Sequence, residues 1–133
     1  VGSGTGYASA VLARIAGTVV ALECDESLVE KAGVILEELR VDNAVVISGV
    51  LKEGHVEQGP YDVILLSGSV EEVPQKLKEQ LAENGRLAAV VNDRGIGRAT
   101  IINRLGETFL ETILFDANVP PLPGFQREKG FVF

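Results

Sequence analysis

The sequence predicts an α/β fold with a doubly wound, mostly parallel sheet that ends in a C-terminal antiparallel hairpin. Short runs of apolar, β-branched residues alternate along the chain with segments whose apolar residues recur at helical spacing. These runs are continuous rather than interleaved with polar residues, which is typical of parallel strands buried on both faces. The last two runs follow one another without a helix between them, as the strands of a hairpin do.

Local signals delimit these elements. A glycine-rich loop at residues 2–6 opens the chain, and Gly17 ends the first helix. Asp25 or Ser27 caps the second helix, and Pro74 lies in or near the first turn of the third, where proline is tolerated. The helices are predicted at residues 7–16, 26–40 and 70–82, and the strands at 18–23, 44–48, 61–67, 86–91, 100–105 and 109–117, with the last two joined across Gly106 and Glu107.

Length and composition indicate one domain, residues 1–133, in which 46% of the residues are hydrophobic, enough for a core. The net charge of −7 argues against nucleic acid and against a membrane surface as partners, since both favour a basic face. A single cysteine cannot form an internal disulfide, and no export signal or membrane-spanning run is visible, so we expect a cytoplasmic protein. One histidine and one cysteine, far apart, do not make a metal site.

The start of the chain is unusual for a domain. The sequence contains no methionine, and Val1-Gly2-Ser3-Gly4 is typical of a strand end that enters a turn. We therefore expect a strand, and further residues, to precede Val1.

The glycine loop offers a ligand site at the start of the first predicted helix. Gly2, Gly4 and Gly6 form the pattern G-x-G-x-G, which lets a ligand approach the backbone and the free N–H groups of the helix N-terminus. Tyr7 breaks the G-x-G-x-x-G spacing of dinucleotide-binding loops. Glu23 ends the next strand, where a carboxylate can accept hydrogen bonds from both hydroxyls of a ribose. These features favour a Rossmann-like fold with a nucleoside-containing ligand; the alternative is a simple turn beside a solvated acid.

Further motifs follow the glycine loop along the chain, and the whole set is Gly4-Thr5-Gly6-Tyr7, Pro60-Tyr61-Asp62-Val63-Ile64, Val73-Pro74, Leu81, Asn84-Gly85-Arg86-Leu87, Phe109 and Val119-Pro120. The loop resembles the first motif of class I S-adenosylmethionine-dependent methyltransferases. The whole set resembles, in order and spacing, the protein-L-isoaspartate O-methyltransferases within them. The resemblance covers most of the chain. It implies S-adenosylmethionine as the cofactor, and as partner a protein or peptide bearing isoaspartate, whose carboxylate is methylated in protein repair.

The resemblance also implies which residues bind the methyl donor. The glycine loop would approach the amino-acid moiety, Glu23 would hold the ribose hydroxyls, and Cys24 would lie beside the adenine. Residues 49–51 would continue the adenine pocket, and Ser67 would lie near the transferred methyl. The complete implied set is Gly2, Ser3, Gly4, Gly6, Tyr7, Glu23, Cys24, Gly49, Val50, Leu51 and Ser67.

Two stretches depart from the family pattern. Gly49-Val50-Leu51 stands where the family usually carries Gly-Asp-Gly, so the aspartate contact to the adenine amino group is missing and a backbone amide or water would have to substitute. Ser67-Gly68-Ser69 replaces Thr-Ala-Ala, which keeps a hydroxyl and the small size near the methyl group. The family's substrate-recognition segment precedes the glycine loop, so no residue of this chain is matched to it.

The chemistry implied is an in-line displacement at an activated methyl group. It depends mostly on positioning, and an ionised carboxylate needs no general base, so no catalytic residue is assigned. Two alternatives remain open. One is a protein that keeps the fold and binds the donor or a partner without methylating isoaspartate. The other is a nicotinamide-dependent oxidoreductase, which the glycine spacing and the terminal hairpin disfavour.

Several other residues have a simpler interpretation than a catalytic one. His55 lies in a polar, glycine-bounded loop and is expected at the surface. Cys24 is expected to be a packed thiol rather than a nucleophile. Phe125, Phe131 and Phe133 are expected to pack as a tail on the sheet or on an N-terminal part.

Overall fold

Helices and strands alternate through the first half of the chain, and most of the second half is strand. The computed structural model describes residues 1–125, except the side chain of Tyr7; residues 126–133, with Phe131 and Phe133, lie outside the described part. The helices are α1 (Tyr7–Ala13), α2 (Glu26–Glu38) and α3 (Gln75–Lys78), with 3-10 turns at Leu51–Glu53 and Val56–Gln58. The strands are β1 (Val19–Glu23), β2 (Ala44–Ser48), β3 (Tyr61–Val70), β4 (Leu81–Asp93), β5 (Ile96–Leu105) and β6 (Thr108–Asp116).

The strands form a two-stranded parallel sheet of β1 and β2 and a four-stranded mixed sheet of β3 to β6, which confirms the predicted α/β class. β1 pairs in parallel with β2, from Val19 opposite Ala44 to Glu23 opposite Ser48. β3 pairs in parallel with β4, and β4, β5 and β6 follow in antiparallel order. The predicted hairpin is confirmed, since Leu105 pairs with Thr108 across the turn.

Residues 1–3 lie between β1 and β3 and connect the two sheets by hydrogen bonds. The backbone N–H groups of Gly2 and Ser3 donate to the carbonyl oxygen of Leu22, at 2.8 and 3.2 Å. On the other side, the N–H of Ser67 donates to the carbonyl oxygen of Val1, at 3.0 Å, and the Val1 amine donates to that of Leu65, at 2.9 Å. The glycine loop therefore starts at the carboxyl ends of both strands, where α/β sheets bind their ligands.

The third predicted helix, residues 70–82, is wrong in extent. Only Gln75–Lys78 is helical, because Pro74 is extended (φ −61°, ψ 142°) and disfavours a helical residue before it. The backbone of Ser69 also pairs with the C-terminal segment: its N–H donates to Pro120, and its carbonyl accepts from Leu122. β3 therefore continues to Val70.

The other end of that predicted helix belongs to β4. Asn84 and Gly85, expected to terminate the helix, form a bulge within the strand, and Asn84 adopts a left-handed conformation (φ 62°). The first helix is shorter than predicted, because the side-chain amide of Asn43 donates to the carbonyl oxygens of Ala13, Ala16 and Gly17 and so stabilises a non-helical ending.

The core lies around β3, β4 and α3 and includes the C-terminal segment. Leu77, Leu81 and Leu87 are almost completely buried, and Leu122 and Phe125 pack in the same cluster. Burial of each such leucine stabilises the fold by roughly 1.5–3 kcal/mol. Phe125 thus packs on the sheet as predicted. None of the helices among residues 1–125 is long and apolar enough to cross a membrane.

Candidate functional site

The glycine loop adopts backbone conformations that favour glycine. Gly2, Gly4 and Gly6 all have positive φ, at 78°, 56° and 96°. Gly6 precedes α1 without a side-chain cap, and a Cβ there would lie 3.1 Å from Cα of Ala32 on α2. The pattern G-x-G-x-G thus supplies both the turn and the close approach of the two helices. Tyr7 is the first residue of α1, and its side chain lies outside the described part.

Glu23 is buried, with 5% of its surface exposed, and its carboxylate binds three backbone N–H groups. Oε1 accepts from Gly4 at 2.9 Å, and Oε2 accepts from Cys24 at 2.7 Å and from Asp25 at 3.0 Å. The acid therefore holds the glycine loop against the end of β1. A carboxylate has about four acceptor positions, so three are already occupied.

The expected adenine side begins directly after β2. The N–H of Gly49 donates to the carbonyl oxygen of Glu23, at 3.0 Å, and a Cβ on Gly49 would lie 3.1 Å from the Leu22 side chain. Val50 is 59% exposed, whereas the side chain of Leu51 is packed in the core. The structure therefore brings Gly49 and Val50 to the end of β1, and Leu51 anchors the turn that follows them.

Cys24 is exposed, so the expectation of a packed thiol is wrong. Its position directly after Glu23, at the end of β1, places it at the edge of the site instead of in the core. Desolvation is the largest cause of the raised pKa of this thiol, followed by its hydrogen bond to the Glu23 carboxylate and by the negative charge there. A raised pKa keeps the thiol protonated, which does not suit a nucleophile.

Two serines flank the start of the glycine loop. Ser67 is exposed on β3, and Ser3 follows the strand-like segment beside it. The hydroxyl of Ser3 is buried without a hydrogen-bond partner within the described residues. Both serines line a cavity of about 160 Å³ between α1, β1 and β3, together with Val1 and Ser9.

A larger cavity, about 570 Å³, opens at the carboxyl ends of β3 and β4. Its lining includes Ser69, Asn92, Arg94 and Leu122. The Leu122 side chain lies against the glycine loop: a Cβ on Gly2 would be 2.6 Å from its Cδ2 atom. Nothing local in the sequence indicates this contact, because the two residues are far apart along the chain. The nearby Val119-Pro120 motif was matched to the family pattern but does not indicate this contact.

These features together fit a nucleoside-containing ligand. A backbone turn that admits a close approach, a buried carboxylate and an unpartnered hydroxyl meet at the carboxyl ends of parallel strands. Among the described residues, no group of three or more His, Cys, Asp or Glu side chains is placed to hold a metal ion. His55 is half-buried in the loop between β2 and β3.

Comparison with curated proteins gives consistent results. A protein-L-isoaspartate O-methyltransferase from Roseiflexus castenholzii is 39% identical over 124 residues, which are 93% of this chain and 57% of that protein. One from Koribacter versatilis is 36% identical over 126 residues, 95% of this chain and 57% of that protein. The chain thus spans just over half the length of these relatives.

Solved structures agree. A protein-L-isoaspartate O-methyltransferase has a TM-score of 0.88 at 28% identity, over 94% of this chain and 41% of that one. A β-aspartate methyltransferase from Plasmodium falciparum, in complex with S-adenosyl-L-homocysteine, has a TM-score of 0.77 at 25% identity, over 91% of this chain and 62% of that one. The family model described as protein-L-isoaspartate(D-aspartate) O-methyltransferase matches residues 1–115. The chain therefore belongs to the protein-L-isoaspartate O-methyltransferase family.

Proposed function

We propose that the protein is an S-adenosylmethionine-dependent O-methyltransferase that methylates the carboxylate of isoaspartyl residues in damaged proteins. Membership of the family supports this proposal. The observation that carries it is the buried Glu23 carboxylate bound to the N–H of Gly4, because this contact holds the acid that we propose as the ribose acceptor beside the glycine loop.

The chain's own residues bind and orient the donor in this proposal. Gly2, Gly4 and Gly6 admit the amino-acid moiety to the backbone, Ser3 offers its unpartnered hydroxyl, and Glu23 accepts from the ribose. The buried negative charge of Glu23 also favours a cationic ligand. We place Tyr7 at the same loop, Cys24, Gly49, Val50 and Leu51 on the adenine side, and Ser67 near the methyl group.

When bound, S-adenosylmethionine supplies an activated methyl group. The acceptor carboxylate is ionised at neutral pH and needs no proton removed, so the protein's contribution is to hold donor and acceptor in line and to exclude water. The cavity at the carboxyl ends of β3 and β4 adjoins Gly2 through Leu122 and is the space we propose for the acceptor. Protein repair in the cytoplasm, without nucleic acid or membrane as partner, remains our prediction.

Calorimetry and a methylation assay test the function on the protein that carries this chain. S-adenosylhomocysteine should bind and NAD should not, and methyl transfer from S-adenosylmethionine should occur to an isoaspartyl peptide but not to the same peptide with normal aspartate. Binding of NAD alone would overturn the proposal. Binding of S-adenosylhomocysteine without methylation of the isoaspartyl peptide would instead support the non-catalytic alternative.

A further inference from the structure

Gln80 lies between α3 and β4, and its buried side-chain amide forms hydrogen bonds with the backbone of two residues in the loop after β2. Its Nε2 group donates to the carbonyl oxygen of Glu53 at 2.9 Å, and its Oε1 atom accepts from the N–H of His55 at 3.1 Å. The backbone carbonyl oxygen of Gln80 accepts a hydrogen bond from the N–H of Tyr61 at 2.8 Å. Only 7% of the residue is exposed. Gln80 therefore joins the loop after β2 to the beginnings of β3 and β4.

The loop is shaped around this amide. Gly54 has φ 65° and ψ −153°, a conformation that favours glycine, and a Cβ there would lie 2.6 Å from Nε2 of Gln80. The hydroxyl of Tyr61 donates to the carbonyl oxygen of His55, and Lys76 on α3 forms an ion pair with Glu53. Residues 53–55 are thus held by three side chains, those of Gln80, Tyr61 and Lys76.

The same loop carries the proposed adenine side of the donor site. The N–H of Glu53 donates to the carbonyl oxygen of Val50 at 3.1 Å, and the N–H of Gly54 donates to that of Leu51 at 3.2 Å. At the other end, Gly49 is bonded to Glu23. Val50 therefore lies between Gly49, which is bonded to the Glu23 carbonyl, and Glu53, which is bonded to the Gln80 amide.

We propose that Gln80 is a positioning residue for donor binding, which holds the 3-10 turn Leu51–Glu53 so that the backbone of Gly49 and Val50 faces the adenine. This inference rests on the proposed function. Because Val50 carries no polar side chain, recognition at this point falls to the shape and the backbone groups of the turn. Backbone recognition requires the turn to be rigid before the ligand arrives.

Exchange of Gln80 for methionine tests the role, because Gln80→Met keeps the length of the side chain and removes both hydrogen bonds. We expect the Kd for S-adenosylhomocysteine and the KM for S-adenosylmethionine to rise about tenfold, while kcat at saturating donor and the KM for the isoaspartyl peptide stay unchanged. The matched control is Ile102→Val on β5, a buried residue outside the loop, which should lower stability without changing the KM for the donor.

A milder variant keeps the test decisive if Gln80→Met does not fold. Tyr61→Phe removes only the hydroxyl that donates to His55 and should raise the same Kd two- to threefold, roughly. An unchanged Kd in every folded Gln80 and Tyr61 variant would overturn the inference. Failure of the unmodified protein to bind S-adenosylhomocysteine would instead overturn the proposed function, so the two failures are distinguishable.

Discussion

The carboxylate of Glu23 accepts a hydrogen bond from the backbone N–H of Gly4, at 2.9 Å. This contact links the end of β1 to the glycine loop, two segments that are 19 residues apart. The residue predicted to bind a ribose is therefore also the residue that holds the loop in place. Oε2 accepts from two further backbone N–H groups. Ribose hydroxyls that bind this carboxylate therefore have to share its oxygens with these N–H groups or replace some of them.

Exchange of Glu23 for glutamine should weaken binding of S-adenosylhomocysteine by ~1–3 kcal/mol, because an NH2 group replaces one acceptor and the charge is lost. Isothermal titration calorimetry measures this directly. Asp25→Asn is the matched control: Asp25 lies two residues after Glu23 and caps α2, and asparagine is an equally good cap. Equal affinities of the Glu23 variant and the unmodified protein would exclude a ribose contact.

The stability of a polypeptide that begins at Val1 should rise as the pH increases from 6 to 8. Burial is the main cause that lowers the pKa of the Val1 amine from 8.0 to about 6, against a smaller opposing effect of Glu23. In this range the unfolded chain binds more protons than the folded one, so each step upward in pH favours folding, by ~2–3 kcal/mol in total. Urea unfolding at pH 5.5, 7 and 8.5 measures the effect.

Acetylation of the Val1 amine is the control for that experiment. It removes the titrating group and keeps an N–H to donate to Leu65. The acetylated chain should lose this part of the pH dependence, and an identical profile for both forms would contradict the prediction.

Exchange of Gly68 for alanine should destabilise the protein by ~1–3 kcal/mol. A Cβ there would lie 2.8 Å from Cγ of Leu122 and 2.9 Å from the carbonyl oxygen of Pro120, so the C-terminal segment has to move. Chemical denaturation gives the free energy of unfolding. Since Leu122 also contacts Gly2, we expect donor affinity to fall in the same variant.

The matched glycine variant is Gly33→Ala on α2, which should raise the free energy of unfolding instead of lowering it. A Cβ at Gly33 meets no atom within 4 Å, and the residue lies within the helix. Alanine should stabilise the helix by ~0.5–1 kcal/mol in the same unfolding measurement. A loss of stability in Gly33→Ala would contradict the expected gain, and an unchanged stability in Gly68→Ala would show that the contact with Leu122 is not decisive there.

Exchange of Leu77 for alanine should cost ~2–5 kcal/mol of unfolding free energy, although α3 has only four residues. Leu77 is 1% exposed and packs in the core. Leu39→Ala, at a residue that is 53% exposed next to α2, should change the midpoint of urea unfolding far less. Similar losses for the two leucines would mean that α3 does not anchor the core.

Local sequence patterns were enough to predict the features that depend on neighbouring residues. The glycines at 2, 4 and 6 predicted the turn, the run that ends at Glu23 predicted a strand with an acid at its carboxyl end, and the turn at Gly106 predicted the hairpin. Each of these signals depends on local conformational preference or on side-chain periodicity, which a stretch of about ten residues contains.

The positions where distant segments meet depend on tertiary contacts. Pairing of Ser69 with Pro120 and Leu122 extends β3 where a helix was expected, and the Asn84 bulge lies in a strand. Gln80 reaches a loop 25 residues away. The energy of such contacts comes from hydrogen bonds and burial between parts of the chain whose separation no local pattern records, so tertiary pairing outweighs helix propensity.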